Sequence, residues 1–273
     1  MLGNFRQTFT VAIIFLHYSV SIPFYGYHKP KQKKHSNSLL KEKQVTQKNT
    51  IERVPDFLDE LHLKKSDDMD IESFFTEIYE NNYWQNQETR SGEGSTVAVT
   101  NVIRASLPDI IKSFNISSLL DIPCGDFNWM KHIDLREIDY IGADIVKPLI
   151  DENNTFYKCE NRKFHTIDIL NEPLPKVDLI LCRDLFVHLS EKNIKKAILN
   201  CKKSGSKFLF TTTFTMQEEN IDTSNKPIHW RKINLEKAPF NFPKPLLTIN
   251  ENSHEYGQSD KCLCLWKISD LPN

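Results

Sequence analysis

The sequence predicts an α/β protein built on an open parallel sheet. The first sign is Ser118-Leu119-Leu120-Asp121, a short apolar run that ends in an acid and enters the turn Ile122-Pro123-Cys124-Gly125-Asp126. The second is that Tyr140-Ile141-Gly142-Ala143-Asp144 and Phe164-His165-Thr166-Ile167-Asp168 repeat the pattern. The third is Val177-Asp178-Leu179-Ile180-Leu181-Cys182, which leads into Arg183-Asp184. Short apolar runs bounded by turn residues suit buried parallel strands. Acids at their carboxyl ends would line one crevice.

Taken in order, Ile71 to Tyr83 reads as a helix with Phe74, Phe75, Ile78 and Tyr79 on one face, closed by Trp84. Ser91-Gly92-Glu93-Gly94-Ser95 is a glycine-rich turn, with Ser95 the expected N-cap of a helix from Thr96. Its stripe is Val99, Val102 and Ile103. The first strand follows, then a helix start at Phe127-Asn128-Trp129. After the fourth strand, Ser190 caps a helix with Ile194, Ala197, Ile198 and Cys201 inward, stopped by Gly205. Lys207 to Phe214 is the fifth strand. Thr215 to Lys244 has no clear period and reads as a substrate lid, with a structural wrap the alternative. Pro245 to Asn250 and Cys262 to Ile268 are the last two strands.

Gly125 lets backbone approach a ligand closely, and Asp121 can accept hydrogen bonds from an ammonium or hydroxyl. Asp144 lies 23 positions after Asp121, near the spacing of a ribose-binding acid in dinucleotide folds. The G-x-G-x-x-G fingerprint of a dinucleotide site is missing from this turn, and Pro123 has no amide to offer.

The series resembles the class I S-adenosylmethionine (SAM)-dependent methyltransferases. LLDIPCGDFNW looks like their first motif, YIGADI the second, FHTIDIL the third and DLILCRDLFVHLS the fourth. The likeness spans about residues 71–268, and SGEGS and PFNFP mark one branch of that family. Pro123 departs from it, standing where the general motif has its first glycine. The resemblance implies a Rossmann-like seven-stranded methyltransferase sheet flanked by helices, with the last strand antiparallel. It implies SAM as cofactor. Asp121 would lie near the methionine ammonium, Gly125 in the turn, Asp144 on the ribose and Asp168 near the adenine amino group.

Methyl transfer from a sulfonium asks mainly for positioning and exclusion of water. A hydroxyl or protonated amine acceptor also needs a base. Arg183, Asp184 and His188 follow the fourth strand and are the catalytic candidates, with Asp184 the first choice as base. Asp184 and His188 read equally well as a helix-start acid and a packed histidine. No metal site is expected. The acceptor is expected to be a small molecule or a glycan hydroxyl. The alternative function is a catalytically silent member of the fold that binds a ligand or partner.

The chain has 273 residues and a net charge of −1, which gives no electrostatic case for nucleic acid. Its six cysteines do not form a disulfide framework. Arg6, the apolar run from Thr8 to Leu16 and Ser19-Val20-Ser21 suggest that residues 1–21 are a signal peptide, with a signal anchor and membrane attachment as the alternative. The expected destination is the secretory lumen or the cell exterior. The sequons Asn115-Ile116-Ser117 and Asn153-Asn154-Thr155 fit that route. Residues 22–70 read as a flexible tether with at most a short helix near Pro55 to Leu63, and 71–273 as the methyltransferase domain.

Overall fold

The computed structural model describes residues 71–222, 230–254 and 257–272. The expected signal segment and tether lie outside these residues. In chain order the elements are α1 (Ile71–Glu80), α2 (Asn101–Ser113), β1 (Ser118–Asp121), β2 (Asp139–Asp144), α3 (Lys147–Phe156), β3 (Arg162–Thr166), β4 (Leu179–Cys182), α4 (Glu191–Lys203), β5 (Phe208–Phe214), β6 (Leu247–Asn250) and β7 (Lys261–Lys267). The strands form one seven-stranded sheet in the order β3-β2-β1-β4-β5-β7-β6. β1 to β5 pair in parallel, and β7 runs antiparallel to both β5 and β6. The predicted fold is the one observed.

The strand sequences are apolar on both faces because both faces are covered. Leu119, Leu179, Leu181, Phe210, Leu263 and Leu265 join one core with Ile103, Leu107 and Ile110 of α2 and Leu149 and Ile150 of α3. Their neighbours Leu120, Ile180, Cys182, Leu209, Cys264 and Trp266 join the other core with Ile194, Ala197, Ile198 and Cys201 of α4. Each buried aliphatic side chain of this size contributes about 1.5–3 kcal/mol relative to exposure. A register slip of one residue would exchange the two cores.

Ser190 caps α4 as expected, its hydroxyl accepting from the Asn193 amide at 3.3 Å. Three other expectations fail. No α-helix follows β1: Phe127 takes a φ of 58°, and only a single 3-10 turn forms, at Met130–His132. Ser95 is not an N-cap, since it closes a 3-10 turn and α2 starts at Asn101. The Thr96 hydroxyl instead donates to the Glu93 carbonyl, and Val99 and Val102 are only half-buried. From Ile233 to Phe242 the expected lid is instead a structural wrap, whereas Trp230 of the same stretch stays partly exposed. Ile233, Leu235, Phe240 and Phe242 are core residues, and Phe242 packs edge-on against Trp266 at 5.2 Å.

All six cysteines are free. Among the described residues, no helix is long and apolar enough to cross a membrane.

Candidate active site

The strand order turns outward in both directions from the β1–β4 pair, and in open α/β sheets the ligand crevice lies at that point, beyond the carboxyl ends. A cavity of about 420 Å³ opens there. It is lined by Asp121, Gly125, Asp144, Asp168, Arg183, Asp184 and His188, so every residue singled out from the sequence meets in one place.

Asp121 and Asp144 end β1 and β2 and are both buried. The Tyr140 hydroxyl donates to Asp121 at 2.7 Å. Burial and the nearby Asp144 carboxylate push the Asp121 pKa up to about 7, against the pull of the Tyr140 hydrogen bond and Arg183. Burial likewise raises Asp144 to about 6, although the Val146 and Gly125 amides donate to its carboxylate at 3.1 and 3.2 Å. Asp168 is half-buried and caps its own turn, accepting from the Leu170 amide at 2.7 Å.

Gly125 has a φ of 54°, and an added Cβ would collide with the Ser91 hydroxyl. That contact belongs to a clamp. The Asp126 carboxylate accepts from the Thr89 hydroxyl at 2.8 Å, the Arg90 amide at 2.8 Å and the Ser91 hydroxyl at 3.1 Å. The Asp126 amide donates back to Ser91 at 2.9 Å, and Asn128 donates to Glu88 at 2.7 Å. Asp126 therefore fixes the glycine-rich loop onto the turn after β1. That loop, Arg90 to Ser95, forms one wall of the cavity.

The far side of the cavity holds a closed ion cluster. Arg183 bonds Glu251 at 2.7 Å and Asp184 at 3.1 Å. Lys261 bonds Asp184 at 2.7 Å and Glu251 at 3.4 Å. Two positive and two negative groups cancel. Asp184 is held in the left-handed region, φ 57°, with its amide donating to the Thr212 hydroxyl at 2.9 Å. Burial alone would raise the Asp184 pKa, but Arg183 and Lys261 outweigh it and hold the carboxyl well below the usual range. Its oxygens already accept from Arg183, Lys261 and the Thr212 hydroxyl, which leaves the first choice made from the sequence with little lone-pair capacity for an acceptor. Arg183 is spent on the cluster too. His188 is different. Its ring sits between Phe75 and Trp84, with centroids at 6.2 and 6.3 Å. Burial, with Lys261 and Arg231 nearby, lowers its pKa to about 4 against the pull of Asp184, so the imidazole is neutral at pH 7 and, like Asp184, a weak base. Its ring makes no hydrogen bond within the described residues, which leaves a lone pair for the cavity.

Lys261, Glu251 and Trp84 were not expected at this site, whereas Trp230 lies in the stretch expected to cover the substrate. Lys261 heads a buried strand, and that lysine at a strand entry was the one available signal. Among the described residues, no cluster of three or more His, Cys, Asp or Glu side chains is placed to hold a metal.

No family pattern and no curated protein matches the chain. Solved structures do. Human N-acetylserotonin methyltransferase, crystallised with SAM, superposes with a TM-score of 0.51 at 12% identity, over 73% of this chain. This chain spans 60% of that protein's length. The Burkholderia thailandensis 1,6-didemethyltoxoflavin-N1-methyltransferase, crystallised with 1,6-didemethyltoxoflavin and S-adenosylhomocysteine, matches with a TM-score of 0.50 at 11% identity, over 72% of this chain and 86% of its own.

The chain has the class I methyltransferase fold. Within that fold its cavity occupies the usual crevice at the sheet's carboxyl edge.

Proposed function

We propose that this chain is a SAM-dependent methyltransferase that acts on a small-molecule acceptor. The observation that carries the reading is the pair of buried acids, Asp121 and Asp144, beside a turn that no helix follows. A dinucleotide places its pyrophosphate on a helix N-terminus. A ligand with an ammonium and ribose hydroxyls but no phosphate needs acids instead. Asp144 fits the ribose, Asp121 the ammonium, and Asp168 with Ile169 the adenine edge. SAM brings an already activated methyl group. The chain positions the acceptor, excludes water with the Arg90 to Ser95 loop, and takes up a proton where the acceptor releases one. The two solved neighbours, both methyltransferases acting on small molecules by name, support this reading. The catalytic group that best suits it is His188, with Asp184 setting the field around it.

The test is to incubate the purified protein and a host extract with methyl-labelled SAM and identify labelled products by mass spectrometry. A labelled small molecule is expected. SAM binding with no labelled product would favour the catalytically silent alternative.

We also propose that residues 1–21 are a cleaved signal peptide, that the enzyme works in the secretory lumen or outside the cell, and that a membrane anchor is the alternative. Protein from its native cells should begin near Ile22, and an intact Met1 on a soluble cytosolic protein contradicts this. Asn115 is exposed, whereas Asn153 is buried and donates to the Gly125 carbonyl at 2.8 Å. A glycan is expected on Asn115 alone.

A further inference from the structure

The half of the cavity that the acids do not occupy has its own chemistry. Phe75, Trp84 and Trp230 supply aromatic surface, and Ile71 and Leu185 add apolar surface beside them. Trp84 is 37% exposed and Trp230 is 45% exposed, unusual for such large side chains. Neither ring is idle in the fold. Trp84 lies under Gly92 and beside His188, and Trp230 packs edge-on against Phe214 at 5.7 Å. Both rings line the cavity and remain partly exposed.

The polar groups on this side are few, and most are committed. Arg183, Asp184, Glu251 and Lys261 pair with one another and carry no net charge, although Arg183 Nε and Glu251 Oε1 are buried without a hydrogen-bond partner. Arg231, near His188, has a guanidinium without a hydrogen bond, but its nitrogens are buried and it does not line the cavity; among the described residues an anionic acceptor would therefore find no free cation on this wall, and a cationic one no free carboxylate. Within the described residues the His188 ring, the Gln258 amide and the indole N–H groups of Trp84 and Trp230 make no side-chain hydrogen bond. A sugar, which presents a hydroxyl on nearly every carbon, would leave most of those groups unpaired against aromatic walls, and each unpaired buried group costs about 1–3 kcal/mol.

We propose that the acceptor is a neutral, flat aromatic molecule bearing a hydroxyl, stacked between Trp84, Phe75 and Trp230 with its hydroxyl donating to His188. This rests on the methyltransferase reading above and names the acceptor class for the same site. The oxygen–methyl bond forms as the sulfur–methyl bond breaks. The bonding pair returns to sulfur, and the hydroxyl proton passes to the His188 imidazole. Gln258 would hold a second polar substituent on the ring.

The experiment is calorimetry on the full-length protein saturated with S-adenosylhomocysteine at pH 7.5. The probes are 2-naphthol, 2-naphthoate and methyl glucoside. Binding of 2-naphthol is expected, with 2-naphthoate at least tenfold weaker and methyl glucoside not detected. Trp84→Ala should weaken 2-naphthol about tenfold, the size of an aromatic pair plus part of its buried area, and Trp84→Phe should restore most of the loss. Trp230→Ala reads the same effect from a wall outside α1, should the Trp84 variant fail to fold. Equal or tighter binding of naphthoate, or preferred binding of the glucoside, overturns the proposal. So does silence from all three probes in a protein that still binds S-adenosylhomocysteine, and the cofactor reading then survives. A protein that does not bind S-adenosylhomocysteine at all loses both.

Discussion

On the β1–β2 side of the cavity, acids stand at the ends of parallel strands, and their carboxylates take hydrogen bonds from Tyr140 and from backbone amides. On the β4–β7 side, the charges are paired among themselves, and the surface left for a ligand is aromatic. The first half keeps its acids at raised pKa, in need of a partner that only a ligand can bring. The second half has settled its own electrostatics and asks a ligand for shape. One cavity can therefore hold a charged cofactor and a neutral acceptor without either competing for the other's groups.

The largest expected effect lies on the acceptor side. His188→Gln removes a base that is uncommitted within the described residues; general-base catalysis is worth about 10²–10⁴-fold, and with a pKa of about 4 the methylation rate should fall toward the lower end, about 10²-fold, while SAM affinity holds. Asp184→Asn should lower the rate less and reduce thermal stability instead. A rate loss for Asp184→Asn that exceeds the His188 effect, with stability unchanged, would return the base to Asp184 and break the contrast between the halves.

The ion cluster comes next. Glu251 is fully buried, and removing one member of a buried ion pair costs about 3–5 kcal/mol, so Glu251→Gln should lose about that much in denaturant unfolding. A loss under about 1 kcal/mol would mean that water reaches Arg183 and Lys261, and that the half is not closed.

The acid half is sharpened by pH. Asp121 and Asp144 bind protons in the folded protein up to about 7 and 6, while the unfolded chain releases them near its ordinary value of 3.8. Between those values the two acids hold more protons in the folded state, while His188, lowered from 6.5 to about 4, holds fewer and offsets part of the effect; the acids' shifts are together the larger, so the ligand-free protein should lose stability as pH rises from 4 to 7. An ammonium beside Asp121 favours its charged form. Cofactor binding at pH 6 should then release up to about one proton, seen as a binding heat that varies with buffer ionisation enthalpy. Heats that do not vary with buffer would place the ammonium elsewhere.

The two halves also differ in how far the sequence discloses them. Asp121, Asp144 and Asp168 are legible because a parallel strand announces its end, and the residue there faces the crevice whatever the loops do. The sheet order and the cap at Ser190 are legible for the same local reasons. Lys261 and Glu251 are not, because a buried charge is explained only by its partner, and Glu251 lies 68 positions from Arg183. The missing helix after β1 escapes the sequence too. The left-handed backbone at Phe127 belongs to an aromatic cluster with Tyr140 and Phe164, centroids 5.3 and 5.2 Å away, and tertiary packing overrides local preference there. Gly142 makes room for that cluster, since a Cβ on it would strike the Phe164 ring. The wrap from Ile233 to Phe242 has no period to read, so only its burial against Trp266 separates it from a lid.

The most direct test of the central claim is calorimetry of SAM on the full-length protein and on Asp144→Ala. Binding to the wild type is expected, with a loss of about 1.5–3 kcal/mol in the variant, roughly 10- to 150-fold, because a charged acceptor of ribose hydrogen bonds is gone. No binding of SAM or S-adenosylhomocysteine to the wild type at millimolar ligand, or equal affinity in the variant, would contradict it.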